Sequence, residues 1–85
     1  MKLVFLPAFL RQFKKLNPAI QEEAIEKIEA FRQERNHAHL KVHKLKGRLA
    51  GRYGFSVNFK YHVVFRYTSK DEAALLAIGD HDIYQ

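Results

Sequence analysis

The sequence contains no cysteine, which excludes disulfide bonds and zinc sites built on thiolate ligands. It also lacks any run of about 18 apolar residues, the length that a membrane-spanning helix needs. Four cations lie among the apolar residues of the first 16 positions, which is unlike a secretory signal peptide. These absences are typical of a protein of the reducing cytoplasm, so we expect a cytoplasmic location and no membrane partner.

Acidic residues are missing from the whole of residues 37–70. This region carries eight lysines and arginines, whereas residues 1–36 have a net charge of +2 and residues 71–85 a net charge of −4. Eight cations without an anion repel one another and destabilise the fold that holds them together. A surface that only keeps the protein soluble is one interpretation, but such surfaces normally mix both signs of charge. The pattern therefore favours binding to a polyanion, most commonly a nucleic-acid backbone.

The 85 residues are enough for one domain, residues 1–85. A domain of this size buries only somewhat more than half of the surface of its unfolded chain, so it is marginally stable. Disulfides are excluded, and a protein partner that binds only the folded state would stabilise the domain.

Hydrophobic periodicity predicts a short strand at residues 2–6 followed by two helices. The first helix has one apolar stripe, formed by Leu6, Phe9, Leu10, Phe13 and Leu16. Asn17 and Pro18 then signal a second helix, because asparagine caps a helix and proline is tolerated in its first turn. The buried face of this helix is predicted to contain Ile20, Ala24, Ile28 and Phe31. We expect it to end near Glu34 and to be followed by a polar loop at residues 35–41.

From residue 53 onward, the alternation of side chains has the period of two that is typical of strands. The first strand is predicted to direct Phe55, Val57 and Phe59 to one face. The next strand has Tyr61, Val63, Phe65 and Tyr67 on one face and His62, Val64 and Arg66 on the other. Residues 69–72 form the predicted turn before a buried last strand at residues 73–79. The predicted fold class is α+β, in which a short N-terminal strand and a helical hairpin pack on one face of a three- to four-stranded antiparallel sheet.

Histidine and basic residues together suit one kind of chemistry, the cleavage of RNA through its 2′-hydroxyl. This reaction needs a base, an acid and cations that stabilise the charge on the phosphate. Histidine titrates near neutrality and can transfer the protons, and lysine and arginine bind phosphate. The expected RNA-binding residues are Lys44, Lys46, Arg48, Arg52, Lys60 and Arg66.

No metal or other cofactor is expected, since the chemistry requires none and the sequence offers no carboxylate cluster to hold a metal. The sequence Asp80-His81-Asp82 is the only local group of potential ligands. Its neighbouring side chains would point to opposite faces if the group were part of a strand.

His62 and His81 are the most informative candidates for catalysis. His62 is predicted in the middle of a strand, on the face opposite the aromatic row, although an exposed strand histidine without a role would have the same pattern. His81 directly follows the buried last strand, at an edge where loops often carry function. The alternative for His81 is a capping or turn residue.

The remaining candidates are His43 and Tyr84. His43 lies among lysines, and the alternative is a solvated surface residue. Tyr84 could stack on a base or donate a proton, or it could seal the edge of the core. His37 and His39 fall in the predicted polar loop and are expected to be uninvolved.

Four short segments of the second half resemble the signature of a toxin superfamily. They are residues 43–47 (HKLKG), 51–53 (GRY), 61–67 (YHVVFRY) and 78–84 (IGDHDIY). In this order and spacing they resemble the RelE/ParE toxins of type II toxin–antitoxin systems. The likeness covers residues 41–84 in motif and the whole chain in architecture. It implies a RelE-like fold, in which a strand and two helices precede three or four antiparallel strands.

Within the superfamily, the chain is more similar to the mRNA-cleaving branch, particularly to its histidine-using YafQ-like members. Their H-x-L-x-G element begins at His43, and their G-x-H element ends at His81. The resemblance therefore implies a ribosome-dependent mRNA endoribonuclease in which both histidines are catalytic. His62 falls on the strand position where RelE-like members place a catalytic arginine. Tyr84 falls near a C-terminal tyrosine that RelE uses.

Three positions depart from the pattern of the family. Gly54 and Ser56 stand where RelE-like toxins carry lysines and YafQ-like toxins a histidine. Lys60 stands where the YafQ-like branch has an acidic residue.

Two alternatives to the nuclease remain. ParE-like toxins have the same fold but inhibit DNA gyrase, a binding function that requires no proton donors. A plain nucleic-acid-binding module is the other alternative, and only the basic region favours it. As a toxin, the protein is expected to bind a cognate antitoxin, the ribosome and translated mRNA. The resemblance also implies that the toxin–antitoxin complex binds operator DNA through the antitoxin.

Overall fold

The computed structural model describes residues 1–33 and 37–84, without the side chains of His37 and Ala38. The strands are β1 (Lys2–Phe5), β2 (His43–Lys44), β3 (Tyr53–Ser56), β4 (His62–Ser69) and β5 (Glu72–Gly79). The α-helices are α1 (Pro7–Lys14), α2 (Pro18–Arg32) and the single turn α3 (His37–Leu40). Two 3-10 helices, η1 (Gly47–Leu49) and η2 (His81–Tyr84), complete the described elements. No helix among them is both long and apolar enough to cross a membrane.

Both predicted helices begin at their sequence signals. Pro7 occupies the first turn of α1, and the side chain of Asn17 caps α2 by accepting a hydrogen bond from the Ile20 backbone N–H at 3.1 Å. The predicted end of the second helix near Glu34 lies outside the described residues, as do the first two residues of the predicted loop at 35–41.

The prediction of a polar loop is wrong for residues 37–40, because they form the helical turn α3. Leu40 is only 1% exposed and belongs to the hydrophobic core. Burial of this side chain favours a turn that packs against the core over a solvated loop.

The sheet has five strands in the order β1-β5-β4-β3-β2. The predicted α+β class is confirmed, and the sheet is larger than the predicted three to four strands for two reasons. The N-terminal strand β1 joins the sheet parallel to β5, and the two-residue strand β2 pairs antiparallel with β3. The β3–β4 and β4–β5 pairs are antiparallel, as predicted.

The core lies between the helices and one face of the sheet. Phe31 of α2 packs on Phe65 of β4 and Phe55 of β3, with ring centroids 4.5 Å and 4.8 Å apart. The predicted helical face is confirmed at Ala24, Ile28 and Phe31, which are all buried. Consequently the other face of the sheet, which carries His62, is free of the helical layer.

Phe59, which was predicted to share a face with Phe55 and Val57, is instead 91% exposed. The strand β3 ends at Ser56, so the alternation that was expected to place Phe59 beside Phe55 stops before it. Asn58 sets this turn, because its side-chain oxygen accepts hydrogen bonds from the backbone N–H groups of Lys60 and Tyr61.

Candidate active site

The topology brings three histidines to the sheet face opposite the helices. His62 begins β4 and pairs with Gly79, the last residue of β5, so η2 and its His81 start beside it. His43 of β2 pairs with Gly54, which pairs with Val64 two residues beyond His62. Residues paired directly across antiparallel strands share a face of the sheet. His43 and His62 therefore lie on the same face.

His62 and His81 are in direct contact. Their Nε2 atoms lie 3.2 Å apart, and their ring centroids are separated by 4.5 Å at an interplanar angle of 67°. Two imidazole nitrogens at this separation need one proton between them, with one nitrogen donating and the other accepting. His62 is 7% exposed, which rules out an exposed strand histidine, whereas His81 is exposed. The contact thus links a buried imidazole to a solvent-accessible one.

Burial lowers the pKa of His62, and the nearby positive charges of His81 and His43 lower it further. A hydrogen bond to the backbone of Phe59 acts in the opposite direction. The hydroxyl oxygen of Ser56 lies 3.4 Å from His62 Nδ1. At neutral pH the imidazole of His62 is therefore uncharged, a form that accepts protons but contributes no positive charge to a phosphate site.

The lowered pKa predicts how stability depends on pH. In the unfolded chain His62 returns to its ordinary value of 6.5, so below that pH the unfolded state binds more protons than the folded state. The contribution of neutral His62 to the stability of the fold is therefore complete above pH 6.5. It is lost as the pH falls toward the pKa of His62 in the folded protein. We expect the free energy of unfolding, measured by urea denaturation, to decrease on acidification from pH 7. His62→Gln should make the free energy of unfolding depend less on pH. An unchanged pH dependence would contradict the link between the protonation of His62 and stability.

Tyr84 lies between the histidines. Its ring centroid is 5.5 Å from that of His62, 6.0 Å from that of His81 and 6.4 Å from that of His43. Burial raises the pKa of Tyr84, so the phenol remains protonated at neutral pH. Its hydroxyl is buried and has no hydrogen-bond partner among the residues that the structure describes. A buried hydroxyl without a partner is uncommon in native structures, so Tyr84 is a candidate for a role in the site.

Gly54 makes room for this hydroxyl. A Cβ atom at position 54 would lie 2.9 Å from the Tyr84 hydroxyl and 3.4 Å from Cε1 of His43. Glycine at position 54, which departs from the family pattern, therefore leaves the space that the Tyr84 hydroxyl occupies. Sequence patterns gave Gly54 no functional role, although a glycine inside a strand is a known signal of close approach.

The geometry of His43 depends on Lys41. The Nδ1 atom of His43 lies 2.7 Å from the Lys41 carbonyl oxygen, so Nδ1 carries a proton and donates it to this acceptor. Lys41 has φ = 59°, the left-handed conformation that residues other than glycine seldom adopt. In its neutral form the exposed His43 ring therefore has an unprotonated Nε2.

The other histidine and acidic positions do not join this cluster. The side chain of His37 lies outside the described residues, and His39 lines a cleft between α2 and residues 56–59 rather than the cluster itself. Asp80 accepts a hydrogen bond from the Asp82 backbone N–H at 3.0 Å, so the local Asp-His-Asp sequence forms a turn rather than the end of a strand. Within the described ranges, no group of three or more His, Cys, Asp and Glu side chains is arranged to hold a metal ion.

All six predicted RNA-binding cations are exposed, namely Lys44, Lys46, Arg48, Arg52, Lys60 and Arg66. The ion pairs found among the described residues, Lys2–Glu72 and Arg32–Glu29, involve none of them. Arg66 lies four residues along β4 from His62 and shares its face, and Lys60 follows Phe59 in the turn before β4. These cations thus have no ion-pair partners in the described part of the chain.

No protein-family model matches the sequence, and no curated protein matches it significantly. Solved structures with the same architecture do exist, and they include toxins. YafQ from Escherichia coli strain BL21(DE3) has a TM-score of 0.80 at 10% identity, covering 96% of this chain and 94% of its own. A copper-bound mutant toxin from Helicobacter pylori has a TM-score of 0.74 at 20% identity, covering 100% and 99%. The toxin–antitoxin complex RelBE2 from Mycobacterium tuberculosis has a TM-score of 0.73 at 20% identity, covering 94% of this chain and 96% of its own.

The chain therefore has the fold seen in solved structures of a toxin and of a toxin–antitoxin complex. The predicted resemblance to the RelE/ParE superfamily is confirmed at the level of the fold. Since this fold carries more than one activity, the activity must be argued from the site.

Proposed function

We propose that the protein is the toxin of a type II toxin–antitoxin system and a metal-independent endoribonuclease that cleaves translated mRNA on the ribosome. The observation that carries the proposal is the contact between buried His62 and exposed His81, with Tyr84 and His43 beside them. Such a group of proton-transfer side chains on an unneutralised basic face suits phosphodiester cleavage. The protein would act in the cytoplasm, where ribosomes and mRNA are found.

The reaction consists of one displacement at phosphorus. A base removes the proton of the 2′-hydroxyl, and the resulting oxygen attacks the adjacent phosphate. The bond from phosphorus to the 5′-oxygen breaks, and an acid protonates that oxygen. The products are a 2′,3′-cyclic phosphate and a free 5′-hydroxyl, so the reaction requires no water, metal or redox partner.

Each site residue has a role that its environment suits. His43 presents an unprotonated Nε2 in its neutral form and is proposed as the base. His81 is exposed and is proposed as the acid, with neutral His62 holding its ring through the Nε2 contact. Tyr84 remains a protonated phenol, and it is proposed to donate to the phosphate after its side chain turns outward, because its hydroxyl is buried in the structure. Arg66 and the other exposed cations would stabilise the charge of the transition state.

The basic region is proposed to bind the RNA backbone. Replacing Lys44, Lys46 and Arg48 together with alanine should weaken association with ribosome-bound mRNA, because all three side chains are exposed cations. The salt dependence of binding should also fall, by roughly one unit of slope for each lost phosphate contact. Folding should survive, as exposed substitutions usually change stability by no more than about 0.5 kcal/mol. An unchanged salt slope would remove this region from the RNA interface.

A cognate antitoxin is the proposed partner. An open apolar groove of about 610 Å³ lies between β1 and the first two helices, where Phe5, Leu10 and Ile25 are 41%, 44% and 58% exposed. The apolar face of an amphipathic helix fits such a groove, and acidic residues in the same antitoxin would neutralise the basic region. The antitoxin would stabilise this small domain by mass action, and the complex would bind operator DNA through the antitoxin.

The competing function is that of a ParE-like inhibitor of DNA gyrase. The histidine cluster favours the nuclease, because gyrase binding requires no proton transfer. The test is to induce the protein in cells without antitoxin and to follow both a reporter transcript and the chromosome. Primer extension should detect cuts within translated codons while the DNA remains intact. Intact transcripts together with broken DNA would overturn the nuclease and favour the gyrase inhibitor.

A further inference from the structure

Phe59 is a large apolar side chain that the fold leaves almost completely in water. It is 91% exposed, whereas the next most exposed large hydrophobic residue among those described, Ile25, is 58% exposed. A single exposed apolar residue is common on protein surfaces, so exposure alone indicates no function. What distinguishes Phe59 is the construction of the turn that carries it.

Hydrogen bonds hold this turn at several points. The side-chain oxygen of Asn58 accepts from the backbone N–H groups of Lys60 at 2.9 Å and Tyr61 at 2.8 Å, and the Val57 N–H donates to the Tyr61 carbonyl at 2.9 Å. The Asn58 amide also donates to Glu23 of α2 at 3.1 Å, which ties the turn to the helical layer. The backbone beside Phe59 is therefore fixed, and the ring projects from an ordered support.

The turn adjoins the proposed active site. Phe59 lies three residues before His62 in the sequence. A cleft of about 270 Å³ runs from Phe59 to Ser56, whose hydroxyl lies 3.4 Å from His62 Nδ1. Lys27 and Lys41 also line this cleft, and Lys60 follows Phe59 in sequence. Among the described residues that line the cleft, one is a carboxylate, Glu23, which accepts the hydrogen bond from Asn58.

We propose that Phe59 is a stacking platform for a base of single-stranded RNA, and that it positions the nucleotide next to the scissile phosphate. This inference rests on the proposed nuclease function, because the platform is placed by its distance along the chain from His62. Base–aromatic stacking tolerates any base, since every base has a π-face, and the surrounding lysines suit the phosphates of the same strand. The ordered turn lowers the entropy lost when a base binds, because the support is already fixed.

The test uses fluorescence and does not depend on cleavage. The probe is an mRNA with 2-aminopurine in the ribosomal A-site codon and 2′-deoxy sugars that prevent cleavage. Wild-type protein should quench the 2-aminopurine on binding. Phe59→Ala should weaken this binding by about 5- to 150-fold, the change that loss of one stacked base produces. Phe59→Trp should retain both affinity and quenching. Phe59→Leu is the matched control, because it keeps an exposed apolar side chain without a π-face and should bind as weakly as Phe59→Ala.

Two results would overturn the platform. One is wild-type binding without quenching, or equal affinity in wild type and Phe59→Ala. The other is loss of antitoxin binding in Phe59→Ala with RNA binding unchanged, which would make Phe59 a protein contact. Failure of the nuclease proposal would be seen separately, as intact transcripts in cells, because the fluorescence signal requires no cleavage. Thermal melting should show that Phe59→Ala folds as the wild type does.

Discussion

Replacing His81 with glutamine is expected to abolish growth arrest while leaving the fold and the antitoxin interaction intact. His81 is exposed beside the Nε2 of His62, and glutamine can form a hydrogen bond there but cannot transfer a proton near neutral pH. A general acid–base residue contributes about 10²- to 10⁴-fold to the rate, enough to convert a lethal toxin into a tolerated one. Primer extension after induction without antitoxin should show the loss of cuts in translated codons.

His37→Gln is the control for this variant, because His37 is predicted to be uninvolved, and it should remain toxic. His62→Ala should act in the same direction as His81→Gln, since it removes the partner that holds the His81 ring. The double variant should be little worse than His81→Gln, because residues that act as a unit are not additive. If His81→Gln arrests growth and cuts at the wild-type sites, the catalytic assignment of His81 is wrong.

Local signals predicted the first half of the fold well. Pro7 and the Asn17-Pro18 pair mark helix starts through backbone chemistry that acts within one turn, and both helices begin there. The two-residue strand β2 and the helical turn α3 carry no such signal. Each is stabilised by partners distant in sequence, β2 by its pairing with β3 and α3 by burial of Leu40. The parallel pairing of β1 with β5 is likewise a long-range contact that no periodicity within β1 could indicate.

The sequence could indicate which residues belong to the candidate site, but it could not indicate how their side chains are arranged. Alternation along β4 placed His62 on the face opposite the aromatic row, and the family resemblance selected His43 and His81. The contact between His62 and His81 arises because β4 begins where β5 ends and η2 follows at once. Alternation failed at Phe59 because it assumes a continuous strand, whereas Asn58 stops the strand with its own hydrogen bonds.

Tyr84 offers a test that separates function from packing. Because its hydroxyl is buried without a partner among the described residues, it contributes no hydrogen bond to the folded state there. A buried polar group without a partner usually lowers stability, so removing it is neutral or stabilising. If the same hydroxyl acts on the phosphate, its removal must slow cleavage. A role in packing alone would leave cleavage unchanged.

Tyr84→Phe is therefore expected to keep or slightly raise the Tm and to lower the cleavage rate by about 10²-fold, at the low end of acid–base contributions. Gly54→Ala is the companion variant, because its Cβ would lie 2.9 Å from the hydroxyl and would push the phenol aside. It should also slow cleavage while the protein stays folded, since only the end of a side chain has to move. In the double variant the two losses should not add, because both act through one hydroxyl. Full cleavage by Tyr84→Phe would show instead that Tyr84 only seals the edge of the core, and normal cleavage by Gly54→Ala would show that the position of the phenol does not matter.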